Sequence, residues 1–231
     1  MSAHVSTPPP PIGVVAARVA ELRRLIAELR GDERAVRIVA VTKTFDVTAW
    51  GIARDAGCDA VGENYAQEIG EKLSRVDTPP LPLHFIGHLQ SNKVRALASH
   101  VALWHTVDRP SLVSALEKEA ARLGVAPRVL LQVNSTSEAQ KSGCAPADVG
   151  GLVARAREAG LVVEGLMTMG PTDGDPFATR AAFATTAGLA AEHGLGELSM
   201  GMSHDVRIAI EEGSTIVRIG TGIFGERPRS D

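Results

Sequence analysis

Apolar residues follow two alternating periods along this chain, one typical of helices and one typical of strands. Over residues 14–29 they recur every three or four positions, which predicts a helix that Gly31 can close. Residues 37–43 then form a short β-branched run, which predicts a buried strand. Further strands are predicted at 60–63, 83–86, 103–107, 128–133, 163–167, 198–200 and 215–219, and further helices at 47–56, 65–73, 92–98, 111–123, 147–159, 176–192 and 205–211.

This alternation of strand and helix defines the predicted fold class. Repeated strand–helix units imply a parallel sheet, and eight strands in one compact chain imply that the sheet closes. We therefore predict an α/β protein, a single (β/α)8 TIM barrel with an extra N-terminal helix. An open, doubly wound sheet is the competing architecture. Residues 1–12 are predicted as a disordered lead-in and residues 13–231 as the barrel domain.

Composition and charge narrow the classes of function. Of 231 residues, 44% are hydrophobic and only 3% aromatic, so the core must be aliphatic. The net charge of −3 and the lack of a basic run argue against nucleic acid as a partner. With no apolar run long enough for a membrane span and no signal-peptide pattern, a cytoplasmic protein is expected. Cys58 and Cys144 form no CxxC pair and predict idle thiols in a reducing compartment.

Lys43 ends the first predicted strand, on the face of the barrel where active sites of this architecture lie. After a run of Ile, Val and Ala its ammonium group would be partly desolvated. Desolvation lowers the pKa of a lysine, and the neutral amine is the form that attacks an aldehyde. The alternative is a lysine that simply emerges from the strand into solvent.

A second candidate is the glycine-rich segment 220–225, which matches G-x-G-x-x-G after the last strand. A dinucleotide site is excluded, because no second strand and no acidic residue about twenty positions on follow it. In barrels, the loops after strands seven and eight often bind phosphate through backbone N–H groups. Residues 202–204 and 220–222 supply small residues at both places, although glycines of a tight turn without ligand are the alternative.

His84 and His88 are four residues apart, which on a helix would suggest a metal site. In a strand and the loop after it such positions lie roughly 13 Å apart, so we predict no metal site. A hydrogen-bonded histidine at a strand edge is the other interpretation of His84, and His105 is equally uninformative. HExxH, nucleophile-elbow and P-loop motifs do not occur in the sequence, so no catalytic residue is assigned.

A series of motifs runs in order from the first strand to the last and carries a family resemblance. The chain resembles the YggS/PROSC family of pyridoxal 5′-phosphate (PLP) homeostasis proteins, which are similar to the barrel domain of alanine racemase. The matching residues are 41–44 (VTKT), 62–65 (GENY) with 67–68, 84–87 (HFIG) with 89–93 (LQSNK), 105–108 (HTVD), 141–143 (KSG), 165–167 (GLM), 199–203 (SMGMS) and 217–221 (VRIGT) with 223–225.

The resemblance implies a complete cofactor site. Lys43 is expected to hold PLP as a Schiff base. Arg218 is expected to face the pyridine nitrogen, and Asn64 to lie against the ring. Ser203, Gly220 and Thr221 are expected to hold the phosphate.

The resemblance also implies a role in PLP homeostasis. The expected function is to buffer and transfer PLP and to support amino-acid and keto-acid balance, with little or no turnover. An arginine at the pyridine nitrogen disfavours the protonated ring and weakens it as an electron sink. Because the sequence runs only a few residues past strand eight, we expect no counterpart of the second domain that completes the racemase site. A PLP-dependent amino-acid racemase is the alternative. The expected partners are PLP and PLP-dependent apo-enzymes, and the expected state is a monomer.

Overall fold

The strands of this protein form one closed, parallel barrel in sequence order, β1 to β8, in a computed structural model that describes residues 7–136 and 138–226. The strands are β1 Arg37–Val41, β2 Ala60–Glu63, β3 Leu83–Phe85, β4 Val101–Val107, β5 Arg128–Gln132, β6 Val162–Met167, β7 Glu197–Ser199 and β8 Ile216–Ile219. The barrel closes where β1 pairs with β8, with Ile38 opposite Val217. The predicted (β/α)8 fold class is confirmed, and the open-sheet alternative is wrong.

Helices follow the strands on the outside of the barrel. They are α1 Ile12–Arg30, α2 Thr48–Asp55, α3 Ala66–Leu73, α4 Val94–Leu97, α5 Pro110–Leu123, α6 Val149–Glu158, α7 Pro176–Glu192, α8 Val206–Glu211 and α9 Thr221–Phe224. Two single 3-10 turns, Ser91–Lys93 and Pro146–Asp148, precede α4 and α6. The sequence pattern missed α9, because a four-residue helix with two turn-type residues carries no periodic signal. Within the described residues, no helix is both long enough and apolar enough to cross a bilayer.

The extra N-terminal helix covers the seam where the barrel closes. Val15, Val19 and Ile26 of α1 are buried, and the helix packs against α2, α8 and α9, which flank β1 and β8. The helix ends at Gly31, whose φ of 76° is a left-handed conformation that favours glycine. Arg18 reaches from α1 across the seam and donates a hydrogen bond of 3.0 Å to the carbonyl of Ile223. The predicted helix and its stop signal are therefore both present.

The chain before α1 is paired with the loop after β1. The backbone N–H of Thr7 donates to the carbonyl of Thr44 at 3.0 Å, and that of Asp46 donates to the carbonyl of Thr7 at 3.1 Å. The lead-in predicted over 1–12 is thus hydrogen-bonded to the barrel at Thr7, and α1 begins at Ile12. Residues 1–6 of that prediction lie outside the described residues.

Side chains alternate between the interior of the barrel and the helix layer. Ile38 and Ala40 belong to the large core between strands and helices, whereas Val39 belongs to a separate cluster that fills the barrel. The other members of that interior cluster are Ala60, Leu103, Leu130, Met167 and Ile216, with Met169 packed against them. This aliphatic filling agrees with the low aromatic content. The N-terminal end of the barrel, opposite the loops that follow the strands, carries an ion pair: Arg37 and Glu197 are 2.7 Å apart there.

We expect Gly165→Ala to destabilise the barrel, because a Cβ there would lie only 1.9 Å from the backbone oxygen of Glu197 on the neighbouring strand β7. Overpacking of this kind costs at least about 1–3 kcal/mol of unfolding free energy, measurable by urea denaturation. Gly188→Ala is the matched control, since this exposed position in α7 has nothing within 4 Å of its Cβ. It should raise stability by up to about 1 kcal/mol. Equal stabilities for the two variants would contradict the strand packing.

Candidate functional site

The site residues expected from the sequence lie at the C-terminal end of the barrel, because parallel strands bring all their carboxyl ends to one rim. Lys43 is two residues beyond β1, in a turn, and is half-buried. Asn64 directly follows β2 and is also half-buried. The others lie around β8: Ser203 in the loop before α8, Arg218 within β8, and Gly220 and Thr221 where β8 passes into α9.

Glycines let the loops after β7, β8 and β1 approach one another. A Cβ added to Gly220 would lie 3.5 Å from the Cβ of Val41, so the end of β8 lies against the last residue of β1. The backbone N–H of Gly222 donates to Oγ of Ser203 at 2.9 Å, and a Cβ on Gly222 would lie 3.2 Å from that oxygen. The turn predicted to bind a phosphate is therefore built between two loops and lies next to the strand that leads to Lys43.

Arg218 lies below this turn, inside the barrel, and is only 4% exposed. Its Nη1 donates to the carbonyl of Ser199 at 2.7 Å and to Oγ of Ser199 at 2.6 Å, and its Nη2 donates to the carbonyl of Thr168 at 2.9 Å. These acceptors are all uncharged. Burial lowers the pKa of Arg218 to about 10, while the carboxylate of Asp205 acts in the opposite direction. Arg218 thus remains a cation at neutral pH, and the dipoles of neighbouring carbonyl and hydroxyl groups stabilise its charge.

A chain of hydrogen bonds crosses the barrel interior from Arg218. Oγ of Ser199 lies 2.9 Å from Nδ1 of His105, and Nε2 of His105 lies 3.0 Å from Nδ1 of His84. Ser199 and His105 are fully buried and His84 is 5% exposed. We call these four side chains the interior hydrogen-bond chain. No local sequence pattern assigns Ser199 or His105 to this chain, and His84 was expected at a strand edge in one interpretation.

Arg218 can only donate to this chain, and the two histidines of the chain are uncharged. A guanidinium has donors only, so Oγ of Ser199 accepts a hydrogen bond from it, and the same oxygen shares a second hydrogen bond with Nδ1 of His105. Nε2 of His105 and Nδ1 of His84 share the next hydrogen bond, in which one of the two rings supplies the hydrogen. Burial lowers the pKa of His84 to about 3 and that of His105 well below its usual value. Both imidazoles are therefore neutral near pH 7.

The loops after β2 and β3 are in direct contact on the other side of the rim. A Cβ on Gly87 would lie 2.0 Å from the backbone oxygen of Asn64, so only glycine fits there. Oγ1 of Thr106 fixes the same turn by donating to the carbonyl of Gly87 at 2.7 Å. Among the described residues, Oδ1 of Asn64 is buried without a hydrogen-bond partner. An orphaned acceptor at the rim is typical of a group that meets a ligand.

The remaining candidates are separate from this arrangement. His88 hydrogen-bonds Oγ of Ser142 at 3.2 Å on the rim, while His84 bonds inside the barrel, so the two do not share a site. Within residues 7–136 and 138–226, no three His, Cys, Asp or Glu side chains are grouped to hold a metal ion. Burial raises the pKa of Cys58 to about 12 and that of Cys144 to about 11, so neither thiol is an activated nucleophile.

The interior hydrogen-bond chain makes stability depend on pH. Histidines protonate below about pH 6.5 in the unfolded chain but stay neutral in the folded barrel. The stabilisation is therefore complete above about pH 6.5 and is lost as the pH falls towards the folded pKa of His84, about 3.

The unfolding free energy of the wild type should fall as the pH is lowered from about 6.5 to 5. We expect this fall to be less steep in His84→Gln, by up to about 1.4 kcal/mol per pH unit. Urea denaturation at several pH values measures this slope. His100→Gln, a change at an exposed histidine, is the control and should leave the slope as in the wild type. Identical slopes for wild type and His84→Gln would contradict a neutral, buried His84.

Comparison with known proteins agrees with this geometry. Residues 16–228 match the family model for the N-terminal domain of alanine racemase. The pyridoxal phosphate homeostasis protein of Pseudomonas aeruginosa is 41% identical over 220 residues, 94% of each chain. That of Deinococcus radiodurans is 39% identical over 211 residues, 91% of this chain and 99% of the relative.

Solved structures include a protein with the same architecture and a bound cofactor. PipY of Synechococcus elongatus, solved with PLP bound, superimposes with a TM-score of 0.78 at 34% identity, covering 91% of this chain and all of PipY. Identity above 30% over nine-tenths of the chain goes beyond a shared fold. The chain therefore belongs to the family of pyridoxal phosphate homeostasis proteins, within the alanine racemase N-terminal domain family.

Proposed function

We propose that this protein binds PLP at the rim of the barrel, as a Schiff base with Lys43, and serves to buffer and transfer it. The observation that carries the proposal is the meeting of β1 and β8. Lys43 follows β1, and the glycine turn with Gly220 and Thr221 follows β8, with the buried cation Arg218 below them. The homeostasis proteins and PLP-bound PipY described above support the choice of cofactor.

The residues at the rim fit the parts of this cofactor. The backbone N–H groups of Gly220 and Thr221 and the hydroxyl of Ser203 would donate hydrogen bonds to a phosphate. The N–H of Gly222 already donates to that hydroxyl, and Gly222 leaves room beside it. Oδ1 of Asn64, which has no hydrogen-bond partner among the described residues, would meet the ring. Arg218 would donate to the pyridine nitrogen. PLP supplies an aldehyde and an electron-withdrawing ring, and Lys43 would form a C=N bond with the aldehyde carbon, releasing one water.

Two features favour a carrier over a racemase. Arg218 remains a cation at neutral pH, so it would donate to the pyridine nitrogen and oppose protonation of the ring, which weakens carbanion stabilisation. Racemisation also needs a second acid–base group opposite the lysine. The single tyrosine of the chain, Tyr65, begins the turn into α3 and is 51% exposed. Amino-acid turnover is therefore proposed to be slow or absent, as a PLP carrier in the cytoplasm requires.

The partners follow from this role. PLP itself is the first, and PLP-dependent apo-enzymes that receive it are the second. We propose that the barrel acts as a monomer, over residues 13–231.

Borohydride reduction tests the Schiff base. The protein loaded with PLP should show a visible imine band that borohydride removes, with the reduced adduct on the peptide that contains Lys43. Lys43→Ala should lose the band, because its side chain has no amine. Lys93→Ala, a change at an exposed lysine near the rim, is the control and should keep the band. A reducible band that persists in Lys43→Ala would refute the assignment.

Exchange of the α-proton separates carrier from racemase. We expect the PLP-loaded protein, incubated with a panel of L-amino acids in D2O, to incorporate deuterium no faster than free PLP does. Mass spectrometry and chiral chromatography measure the exchange and any D-enantiomer. Exchange at rates typical of enzymes, about 1 per second or faster, would establish the racemase alternative instead.

A further inference from the structure

The main chain on both sides of Lys43 is held from outside the barrel by buried charged side chains. Lys43 stands between Thr42, which is fully buried, and Thr44, whose φ of 71° is left-handed although it is not a glycine. Non-glycine residues seldom adopt this conformation, so surrounding contacts must hold it. The side chains that make these contacts come from β2 and from α3, the helix that follows it.

On one side, Thr42 is fixed by a buried ion pair. Oε1 of Glu63 accepts hydrogen bonds from Oγ1 of Thr42 at 2.7 Å and from Nζ of Lys72 at 2.5 Å. Nζ of Lys72 also donates to the carbonyl of Thr42 at 2.8 Å, so the pair binds both the side chain and the backbone of this residue. Nε1 of Trp50 donates to the same carboxylate at 3.0 Å. Glu63 is fully buried and Lys72 is 5% exposed.

On the other side, Thr44 is fixed by Glu68. Oε2 of Glu68 accepts a hydrogen bond of 3.0 Å from the backbone N–H of Thr44, and Glu68 is only 6% exposed. Glu68 and Lys72 lie one turn apart on α3, so one helix holds the chain both before and after Lys43. A buried ion pair contributes little net stability compared with apolar side chains of similar size. Its geometric consequence here is to fix the backbone that carries Lys43.

We propose that Glu63, Lys72 and Glu68 are positioning residues for Lys43, acting as a clamp on the backbone of Thr42 and Thr44. The inference rests on the proposed function, since it concerns the amine that forms the bond to PLP. Clamping the two neighbours restricts the orientations of the lysine stem and so favours the one from which the amine reaches the aldehyde carbon. Orientation of this kind affects bond formation, whereas the phosphate turn on β8 is untouched by the clamp.

Binding of two different ligands distinguishes an effect of the clamp on Lys43 from an effect on the rest of the site. PLP can form the C=N bond to Lys43, with loss of water. Pyridoxine 5′-phosphate carries an alcohol in place of the aldehyde, so it reports binding of the ring and phosphate alone. The test variant is Glu63→Gln/Lys72→Met, which removes both buried charges together and leaves neither unpaired. Glu71→Gln/Lys118→Met is the matched control, because the same charges are removed at exposed positions.

We expect the affinity of Glu63→Gln/Lys72→Met for PLP to fall roughly tenfold or more, with a smaller borohydride-reducible fraction. Its affinity for pyridoxine 5′-phosphate should match the wild type, and the control should match for both ligands. Glu68→Ala should show the same split, compared with Glu71→Ala. Equal losses for both ligands, or no loss for either, would overturn the clamp.

A second readout keeps the clamp testable if the protein does not bind PLP. Acetic anhydride labels lysine amines, and mass spectrometry gives the labelling of Lys43 relative to the exposed Lys93 in the ligand-free protein. The test variant should change this ratio by about threefold or more, because the amine of Lys43 is no longer restricted to one orientation. The control variant should leave the ratio unchanged. An unchanged ratio would overturn the clamp, whereas wild-type protein that binds neither ligand would overturn the proposed function alone.

Discussion

Closure of the barrel between β1 and β8 is the constraint on which the site depends. The pairing of Ile38 with Val217 joins strands almost 180 positions apart in the chain. Because all the strands are parallel, closure also brings their carboxyl ends to one rim. The turn that begins at Gly220 therefore lies beside the strand that leads to Lys43. Helix α1 covers this seam from outside, which gives the extra N-terminal helix a structural purpose.

Polar groups inside so small a barrel must be paired, and this requirement shapes the interior. Towards one end the filling is aliphatic, around Val39 and Leu130. Towards the rim it becomes polar, and each buried donor there has an acceptor: Arg218 donates to Ser199, and the chain continues to His105. An isolated cation would be costly to bury, but carbonyl and hydroxyl dipoles offset much of that cost. The result is a fixed positive charge below the rim, where a cofactor ring would rest.

Two sets of buried polar contacts support the rim, one inside the barrel and one between the strands and the surrounding helices. Strand alternation turns Arg218 inward and Thr42 outward, so neighbouring strands supply a charge to the interior and an anchor to the helix layer. The ion pair of Glu63 and Lys72 stabilises no ligand directly. It holds the backbone next to Lys43. Under the proposed function, such a defined amine would hold the aldehyde of PLP, and a fixed cation at the ring nitrogen would favour storage over turnover.

The sequence alone determined the fold and the identity of the rim residues. Alternating periods predicted every strand to within two residues at each end, because local hydrophobic patterning is what strands and helices require. The motifs around Lys43 and Gly220 carried the family resemblance. The sequence did not reveal that Ser199, His105 and His84 form one chain with Arg218. Nor did it reveal that Lys72 binds the carbonyl of Thr42. These contacts join different strands and helices, so their partners are decided by barrel closure and by the direction each side chain takes, and no local pattern encodes them.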